Sequence, residues 1–483
     1  MNTNLDNKKR YIIAGVKIFH LVVVITLFYM FWLLFRYQTL KPGFGRGFRY
    51  NYYVLIGYSV LLLFFARTYN AFLYGYNRIR ELVFANFISQ LFSVGVIWVV
   101  VCIAWDHFTN PMYLLLLLIL QLFVDGILAY FGNWLFFQYN PPRKTILIYR
   151  NELDKKRLGS INGKPTERLY KIVEEFRYDG YSFQAIKDKL SGYDAVVVAG
   201  VHSRRRNGIA KYCQENGIPG FFLPHVGDVI MQGAKHIQSF DSPVLFIERK
   251  KVNPEYVLGK RVFDIVSSFC AIVLLSPFML ITALAIHLYD GGPALYKQIR
   301  LTENSKEFKL YKFRSMRVDA EKDGVARLST GENDDRITPI GKIIRKIRFD
   351  ELPQLFNILK GDMSVVGPRP ERPEIAEQYY KFLPDFKLRL QVKAGLTGYA
   401  QVYGKYNTDP YEKLEFDLLY INDMNFLTDI ELIFATFGIL FKKESTEGIS
   451  VDQITAVDYD AESLRDYDPP SSDLSDKPNY WAD

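Results

Sequence analysis

Four long apolar stretches crowd into the first 140 residues of this chain, at 11–35, 53–72, 82–105 and 112–137, and they limit its fold more than any other feature. Each supplies the ~20 predominantly apolar residues that a membrane-spanning helix requires. One such run could be the core helix of a soluble protein; four joined by short loops read as a bundle in a bilayer. The first run lacks a small-residue cleavage site and the others follow closely, so it reads as an anchor rather than a removed signal peptide. Over all 483 residues, hydrophobic types make up 49% and charged types 23%. That balance fits a chain that is part membrane and part water-exposed.

Loop charge orients the bundle. Lys8, Lys9 and Arg10 precede the first run, Arg78 and Arg80 precede the third, and Arg143 and Lys144 follow the fourth, whereas loop 106–111 holds no Lys or Arg. Basic loops stay on the cytoplasmic side, so both ends of the bundle are expected there. Arg36, Lys41, Arg46 and Arg49 in the first loop run against this assignment. The net charge of +8 has the same origin in this reading and does not call for nucleic acid. Cys102, Cys213 and Cys270 have neither metal-ligand nor disulfide spacing.

Past Pro141-Pro142 the pattern changes. Residues 145–149 (TILIY), 195–199 (AVVVA) and 220–223 (GFFL) read as short buried strands, with helix-like stretches at 166–176 and 208–216 between them. Strands alternating with helices predict a small parallel α/β sheet over 141–250, Rossmann-like in layout. The Gly-x-Gly-x-x-Gly fingerprint of dinucleotide sites is missing after the first strand. The basic stretch 202–206 (HSRRR) follows a strand, where such sheets bind ligands; a solvated loop is the simpler reading.

A fifth apolar run, 262–288, could cross a bilayer by length. Ser276-Pro277 lies in its middle, and basic residues flank both sides, Lys260 and Arg261 before, Lys297 and Arg300 after. Proline interrupts the helical hydrogen-bond ladder. The expectation is a re-entrant helix that bends at Ser276-Pro277 and leaves by the face it entered. An ordinary kinked span would instead put everything downstream outside the cell. Segments 340–349 and 431–443 are amphipathic and basic, as a membrane surface favours. The tail 458–483 is acidic, contains Pro469-Pro470 and is expected to be disordered.

The densest polar constellation begins at Asp350-Glu351. Adjacent carboxylates usually mark a solvated surface, but these follow Arg345 and Arg348 and lead into Leu352-Pro353. An acidic pair beside arginines can hold Mg2+ while the arginines hold phosphate oxygens. Next comes GDMSVVGPRP at 361–370, a rigid turn with Arg369 pinned between Pro368 and Pro370. A guanidinium fixed in this way grips a phosphate with little further entropy loss. Lys312, Arg314 and Arg317 upstream, and Gln401 and Lys405 in the glycine-punctuated stretch 393–405, complete a set suited to a highly phosphorylated substrate and to phosphoryl transfer.

Residues from about 260 to 443 resemble the catalytic domain of the bacterial polyprenyl-phosphate hexose-1-phosphate transferases. The resemblance is carried by KRVFD at 260–264, the Ser276-Pro277 break, YKFRSM at 311–316, DELPQLFNILKGDMSVVGPRP at 350–370 and GLTGYAQVYGK at 395–405. Together with the front portion it implies a large family member: a four-helix membrane α-helical bundle (1–140), a degenerate Rossmann-like α/β domain (141–250) and a mostly α monotopic catalytic domain (255–457) with a re-entrant membrane helix. The implied reaction moves a hexose-1-phosphate from a UDP-sugar, UDP-glucose or UDP-galactose foremost, to undecaprenyl phosphate at the cytoplasmic face of a bacterial inner membrane. UMP leaves, and a capsule, O-antigen or exopolysaccharide unit begins. Asp350 is implied as the nucleophile, through an aspartyl-phosphosugar, and as a Mg2+ ligand. Glu351 is implied as the group that activates or positions the acceptor phosphate. Lys312 and Arg345 match family positions near the phosphates, and Pro368-Arg369-Pro370 matches the nucleotide-binding loop. Self-association as a homodimer is left open.

Two positions depart from the family. Ala394 stands where Pro is frequent, and Lys405 stands where Arg is usual; lysine keeps the charge but loses the planar fork. A membrane-anchored nucleotide-sugar epimerase or dehydratase is the main rival. It needs the missing Gly-rich loop and a Tyr-x-x-x-Lys pair beside it, whereas Tyr256/Lys260 and Tyr37/Lys41 lie where the chain enters the membrane. A non-catalytic scaffold for polysaccharide assembly would not need the carboxylate pair with its basic partners.

Overall fold

The computed structural model describes residues 3–39, 48–104, 108, 110–158, 168–178, 181–239, 242–249, 253–318, 320, 336–404 and 409–440. They form two compact units that divide after Leu223.

The first unit opens with α1 (Thr3–Thr39), α2 (Phe48–Thr68), α3 (Ile79–Ala104) and α4 (Met112–Tyr139). Each contains a stretch long and apolar enough to cross a bilayer. Large apolar side chains such as Leu34, Ile103 and Phe123 point outward, while His20, Gln90, Gln121 and Asp125 are buried. This inversion of the soluble pattern is what hydrocarbon surroundings demand, because a polar group facing lipid has no partner. His20 Nε2 lies 2.9 Å from Asp125 Oδ1 and His20 Nδ1 lies 2.6 Å from the Tyr74 hydroxyl. Gln90 donates to Asp125 at 2.9 Å and Gln121 to Tyr58 at 3.1 Å. Phe28 stacks on Tyr58, and Val24, Trp32, Leu62, Val94 and Leu117 fill the space around them.

After Pro141-Pro142 the chain forms β1 (Arg143–Tyr149), α5 (Glu152–Arg157), β2 (Tyr170–Arg177), α6 (Phe183–Leu190), β3 (Ala195–Ala199), α7 (Ser203–Asn216) and β4 (Gly220–Phe222). The strands make one parallel sheet of order β2-β1-β3-β4. The central strands read as continuous apolar runs because both their faces are covered. Ile146, Ile148, Val196 and Val198 meet Ile186 and Leu190 of α6 and Ile209 and Cys213 of α7. The HSRRR stretch opens α7. The stretch 166–176, expected to be helical, is strand β2 in most of its described part. Its residues alternate between half-buried and exposed, the period of an edge strand. Pairing with β1 along its length decides the conformation over local propensity.

The second unit contains α8 (Val226–Gln232), the hairpin β5 (Lys235–Ser239) and β6 (Ser242–Phe246), α9 (Pro254–Asp290), and the hairpin β7 (Leu295–Leu301) and β8 (Glu307–Phe313). Then follow α10 (Pro339–Lys346), α11 (Gln354–Lys360), β9 (Ser364–Val366), α12 (Pro373–Phe382), β10 (Gly395–Thr397), α13 (Tyr399–Val402), α14 (Pro410–Asn422) and α15 (Phe426–Leu440). Residues 224–239 and 242–249, placed with the sheet by sequence as part of 141–250, belong to this unit. The Val226 amide donates to the Tyr411 hydroxyl, and Val226 and Val229 join Phe386, Leu414 and Leu418 in the largest core.

Helix α9 runs unbroken for 37 residues with Pro277 inside it. Pro277 has no N–H, so the Val273 carbonyl loses its helical donor; the Ser276 hydroxyl donates to that carbonyl at 2.8 Å instead. On one side of Pro277, Arg261 donates to the Ile358 and Leu359 carbonyls at the end of α11, and Asp264 accepts from the Val365 amide. On the other side, Met279 and Ile286 pack with Phe313 of β8 and Ile344 of α10. Both halves of α9 therefore rest on the same body, and the remaining surface exposes Val266, Phe269, Leu274, Leu280 and Leu288.

Candidate active site

The carboxylate pair is delivered by the end of α10. Thr338 caps that helix by accepting from the Gly341 amide, with Pro339 in the first turn, where its missing N–H costs nothing. Two residues past the helix, Arg348 takes a left-handed conformation with φ +58, a strain of about 1–2 kcal/mol for a residue with a Cβ. It turns the chain into a 3-10 turn, Phe349–Glu351. Phe349 and Leu352 flank the pair and pack beside Phe313 and Ile344. The turn is thus anchored on both sides, and Asp350 and Glu351 are 8% and 9% exposed.

Three cations converge on Glu351. Its Oε1 lies 2.7 Å from Arg369 Nη2, 3.1 Å from Lys312 Nζ and 3.9 Å from Arg348 Nη1. Burial alone pushes this carboxyl up, but Arg369, Lys312 and Arg348 outweigh it and hold Glu351 well below the usual carboxylate range. Asp350 goes the other way. Burial, and then the Glu351 charge beside it, raise its carboxyl against the pull of Lys312, Arg345 and Arg348. Asp350 Oδ1 is buried and has no hydrogen-bond partner. Burial also draws the Lys312 ammonium down, with Glu351 opposing.

Arg369 reaches Glu351 from a loop whose backbone is fixed. Gly367 donates to the Thr397 carbonyl and Gly395 to the Pro368 carbonyl, at 2.8 and 2.9 Å. A Cβ on Gly395 would run into the backbone of Gly367, so the GLTG stretch needs glycine for a close approach rather than for a turn.

The structure brings Asp350, Glu351, Lys312, Arg345 and Arg369 together, with Pro368 and Pro370 framing the last. Arg314 pairs instead with Asp290 at the C-terminal end of α9. Gln401, on α13, has no hydrogen-bond partner for either amide atom. Ser276 and Pro277 sit within α9, and Lys405 lies outside the described residues. Sequence reasoning missed Arg300, Glu371, Arg389 and Asp417, which are packed behind the loop. Arg389 is 1% exposed and donates through Nε to Asp417 Oδ2 at 2.7 Å. Burial works against the Glu371 charge, but Lys413, Arg389 and Arg300 hold its carboxyl down to about 2.

Among the described residues no cluster of three or more His, Cys, Asp or Glu side chains could hold a metal. Mg2+, however, takes one or two protein carboxylates and fills its shell with water and substrate phosphates. The unpartnered Oδ1 of Asp350 fits a single open ligand of that kind.

Residues 255–443 match the bacterial sugar transferase family. The chain is also 44% identical over 186 residues to the exopolysaccharide production protein PSS of Rhizobium leguminosarum bv. phaseoli, an alignment covering 37% of this chain and 92% of that protein. This chain belongs to the bacterial sugar transferase family. Its sugar transferase region is similar to the UDP-N-acetylgalactosamine-undecaprenyl-phosphate N-acetylgalactosaminephosphotransferase of Aeromonas hydrophila, at 41% identity over 187 residues, 38% of this chain and 44% of that one. It is similar as well to the UDP-glucose:undecaprenyl-phosphate glucose-1-phosphate transferase of Klebsiella pneumoniae, at 39% identity over 211 residues, 43% of each chain. The matched stretch spans less than half the length of these two relatives. All the converging residues of the site, from Lys312 to Arg369, lie inside the sugar transferase region.

Proposed function

We propose that this protein transfers a hexose-1-phosphate from a UDP-sugar to undecaprenyl phosphate at the cytoplasmic face of a bacterial inner membrane, starting a surface polysaccharide unit. The observation that carries the reading is Asp350: a buried carboxylate with one free oxygen, beside a glutamate clamped by cations. The Aeromonas and Klebsiella relatives, named for a UDP-sugar donor and undecaprenyl phosphate, support the donor and acceptor classes.

In this reading a carboxylate oxygen of Asp350 attacks the sugar-bearing phosphorus of the UDP-sugar. The bond from that phosphorus to the bridging oxygen breaks, and UMP leaves with the electron pair. An oxygen of undecaprenyl phosphate then attacks the same phosphorus and releases the carboxylate. Covalent catalysis splits one hard displacement into two easier ones. Lys312, Arg345, Arg348 and Arg369 hold phosphate oxygens and oppose the charge that spreads over them. Glu351 keeps Arg369 and Lys312 in place and through them helps activate or position the acceptor phosphate. Mg2+ bound at Asp350 would supply neutralisation of the diphosphate.

Helix α9 acts as a re-entrant anchor in the same reading. Both its halves touch one water-compatible body, which supports both ends lying on the same side of the bilayer. Its exposed apolar side chains enter one leaflet and return. The site then sits at headgroup depth, where a lipid phosphate is found, and the acceptor tail stays in the acyl layer.

The test uses membranes carrying the full chain with Mg2+, undecaprenyl phosphate and a panel of donors, UDP-glucose and UDP-galactose first and UDP-N-acetylgalactosamine next. UMP release is expected from the native protein and not from Asp350→Asn. Equal release from both would overturn the assignment.

A further inference from the structure

The Pro368-Arg369-Pro370 loop cannot hold its own shape. Two of its three residues lack an N–H, so the loop has little to donate, and its carbonyls need donors from elsewhere. They receive them. The Gly395 amide reaches the Pro368 carbonyl at 2.9 Å, Arg389 Nη2 reaches the Arg369 carbonyl at 2.8 Å, Arg300 Nη1 reaches the Pro370 carbonyl at 3.1 Å, and the Leu301 amide reaches the Glu371 carbonyl at 2.9 Å.

Arg389 differs from the other donors in how it is held. It is one of the largest fully buried side chains of the protein. Its Nε and Nη2 both lie 2.7 Å from Asp417 Oδ2 on α14, its Nη1 lies 3.6 Å from Glu371 Oε1, and its guanidinium stacks 4.8 Å above the Phe386 ring. Lys413, also on α14, grips the same Glu371 oxygen at 2.9 Å. A guanidinium fixed on three sides is a rigid donor. The residue whose carbonyl it holds, Arg369, places its own guanidinium 2.7 Å from Glu351. A continuous path therefore runs from α14 through Arg389 and the Arg369 backbone to the carboxylate pair.

We infer that Arg389 is a positioning residue for the Arg369 guanidinium, acting through the Arg369 carbonyl and touching no substrate itself. The inference rests on the transfer reaction proposed above. Displacement of a reacting group by about 1 Å can cost about 10²-fold in rate, and with Pro368 and Pro370 lacking an N–H the loop has few donors of its own to resist such a shift.

The experiment is a double-mutant cycle on UMP release by full-length protein in membranes, combining Arg389→Lys with Arg369→Ala. Arg389→Lys keeps charge and burial but cannot reach Asp417 and the Arg369 carbonyl together. It is expected to lower kcat by about 10²-fold in the native background with KM for the UDP-sugar moving less. In the Arg369→Ala background the same change is expected to cost no more than about twofold, because the guanidinium that Arg389 positions is gone. Equal losses in both backgrounds would overturn the inference and leave Arg389 a general stabiliser. Should Arg389→Lys fail to accumulate as folded protein, Asp417→Asn replaces it in the cycle, with the same non-additivity expected and additivity again overturning the idea. Asp350→Asn is run alongside. If it too releases UMP, the reaction itself is misassigned; if it is dead while the cycle is additive, only the role of Arg389 falls.

Discussion

Asp350 and Glu351 are consecutive residues of one 3-10 turn, both less than a tenth exposed, yet their surroundings drive their carboxyls in opposite directions. Glu351 takes the cations, and Asp350 is left with an oxygen that nothing satisfies. Titratable neighbours pushed apart in this way mark different chemical roles: one group stays ionised as a fixed partner, the other is open to react.

The pH profile of UMP release should show this split. Asp350 must be ionised to attack, and burial together with the Glu351 charge raises its carboxyl. Activity is therefore expected to fall on acidification at a pH above the ordinary aspartate range of about 4. Glu351→Gln removes the neighbouring negative charge and frees Lys312 and Arg369, so the acidic limb of its residual activity should move to lower pH. A limb that stays in place would show that Glu351 does not set the Asp350 titration.

Asp350 should also cost stability. A carboxyl whose folded-state pKa lies above its unfolded value supports the fold while protonated. That contribution is present below the unfolded pKa and is lost as pH rises through the folded one. Asp350→Asn keeps the shape without the charge and should stabilise the protein at pH 8 by about 1 kcal/mol, with a smaller gain at pH 5. Thermal unfolding in detergent at both pH values checks this; a variant less stable at pH 8 than the native protein would refute it.

Within the bundle, His20 and Asp125 are nearly inaccessible and 2.9 Å apart. Asp125→Leu strands His20 and Gln90, and a cost of about 1–3 kcal/mol is expected. His20→Phe combined with Asp125→Leu should cost less than the sum of the single changes, with a coupling of about 0.6–1.7 kcal/mol. Detergent unfolding followed by helicity measures the cycle, and strict additivity would mean the pair contributes nothing as a pair.

The proposed re-entry of α9 makes a topological prediction. Val257 and Tyr289 lie near its two ends and are each 51% exposed. With Cys102, Cys213 and Cys270 replaced by serine, Val257→Cys and Tyr289→Cys should react with an impermeant maleimide from the cytoplasmic side only. Labelling of the two positions from opposite sides would make α9 a span.

Much of this was legible in the sequence, and the reasons are specific. The four long apolar helices follow from run length alone, since hydrocarbon leaves few other solutions for such runs. Asp350-Glu351, Lys312 and Pro368-Arg369-Pro370 stand out because rigid Gly and Pro punctuation surrounds unusual charge. Strand β2 did not, because Lys171 and Glu175 on its exposed face, with Glu174 half-buried on the other, mimic a solvated helix and its pairing with β1 is non-local. Arg389, Glu371 and Asp417 stayed hidden for a related reason. Charged residues in amphipathic segments normally face water, and only the fold brings three of them together from separate elements to be buried as a group.

The central claim is that Asp350 carries the phosphosugar between the two half-reactions. Incubating the protein with UDP-sugar in the absence of undecaprenyl phosphate, quenching in acid and mapping peptides by mass spectrometry tests it most directly. The account predicts a hexose-phosphate adduct on the peptide containing Asp350, lost when acceptor is added and absent from Asp350→Asn. An adduct on another residue, or none while UMP is being released with acceptor present, would contradict it.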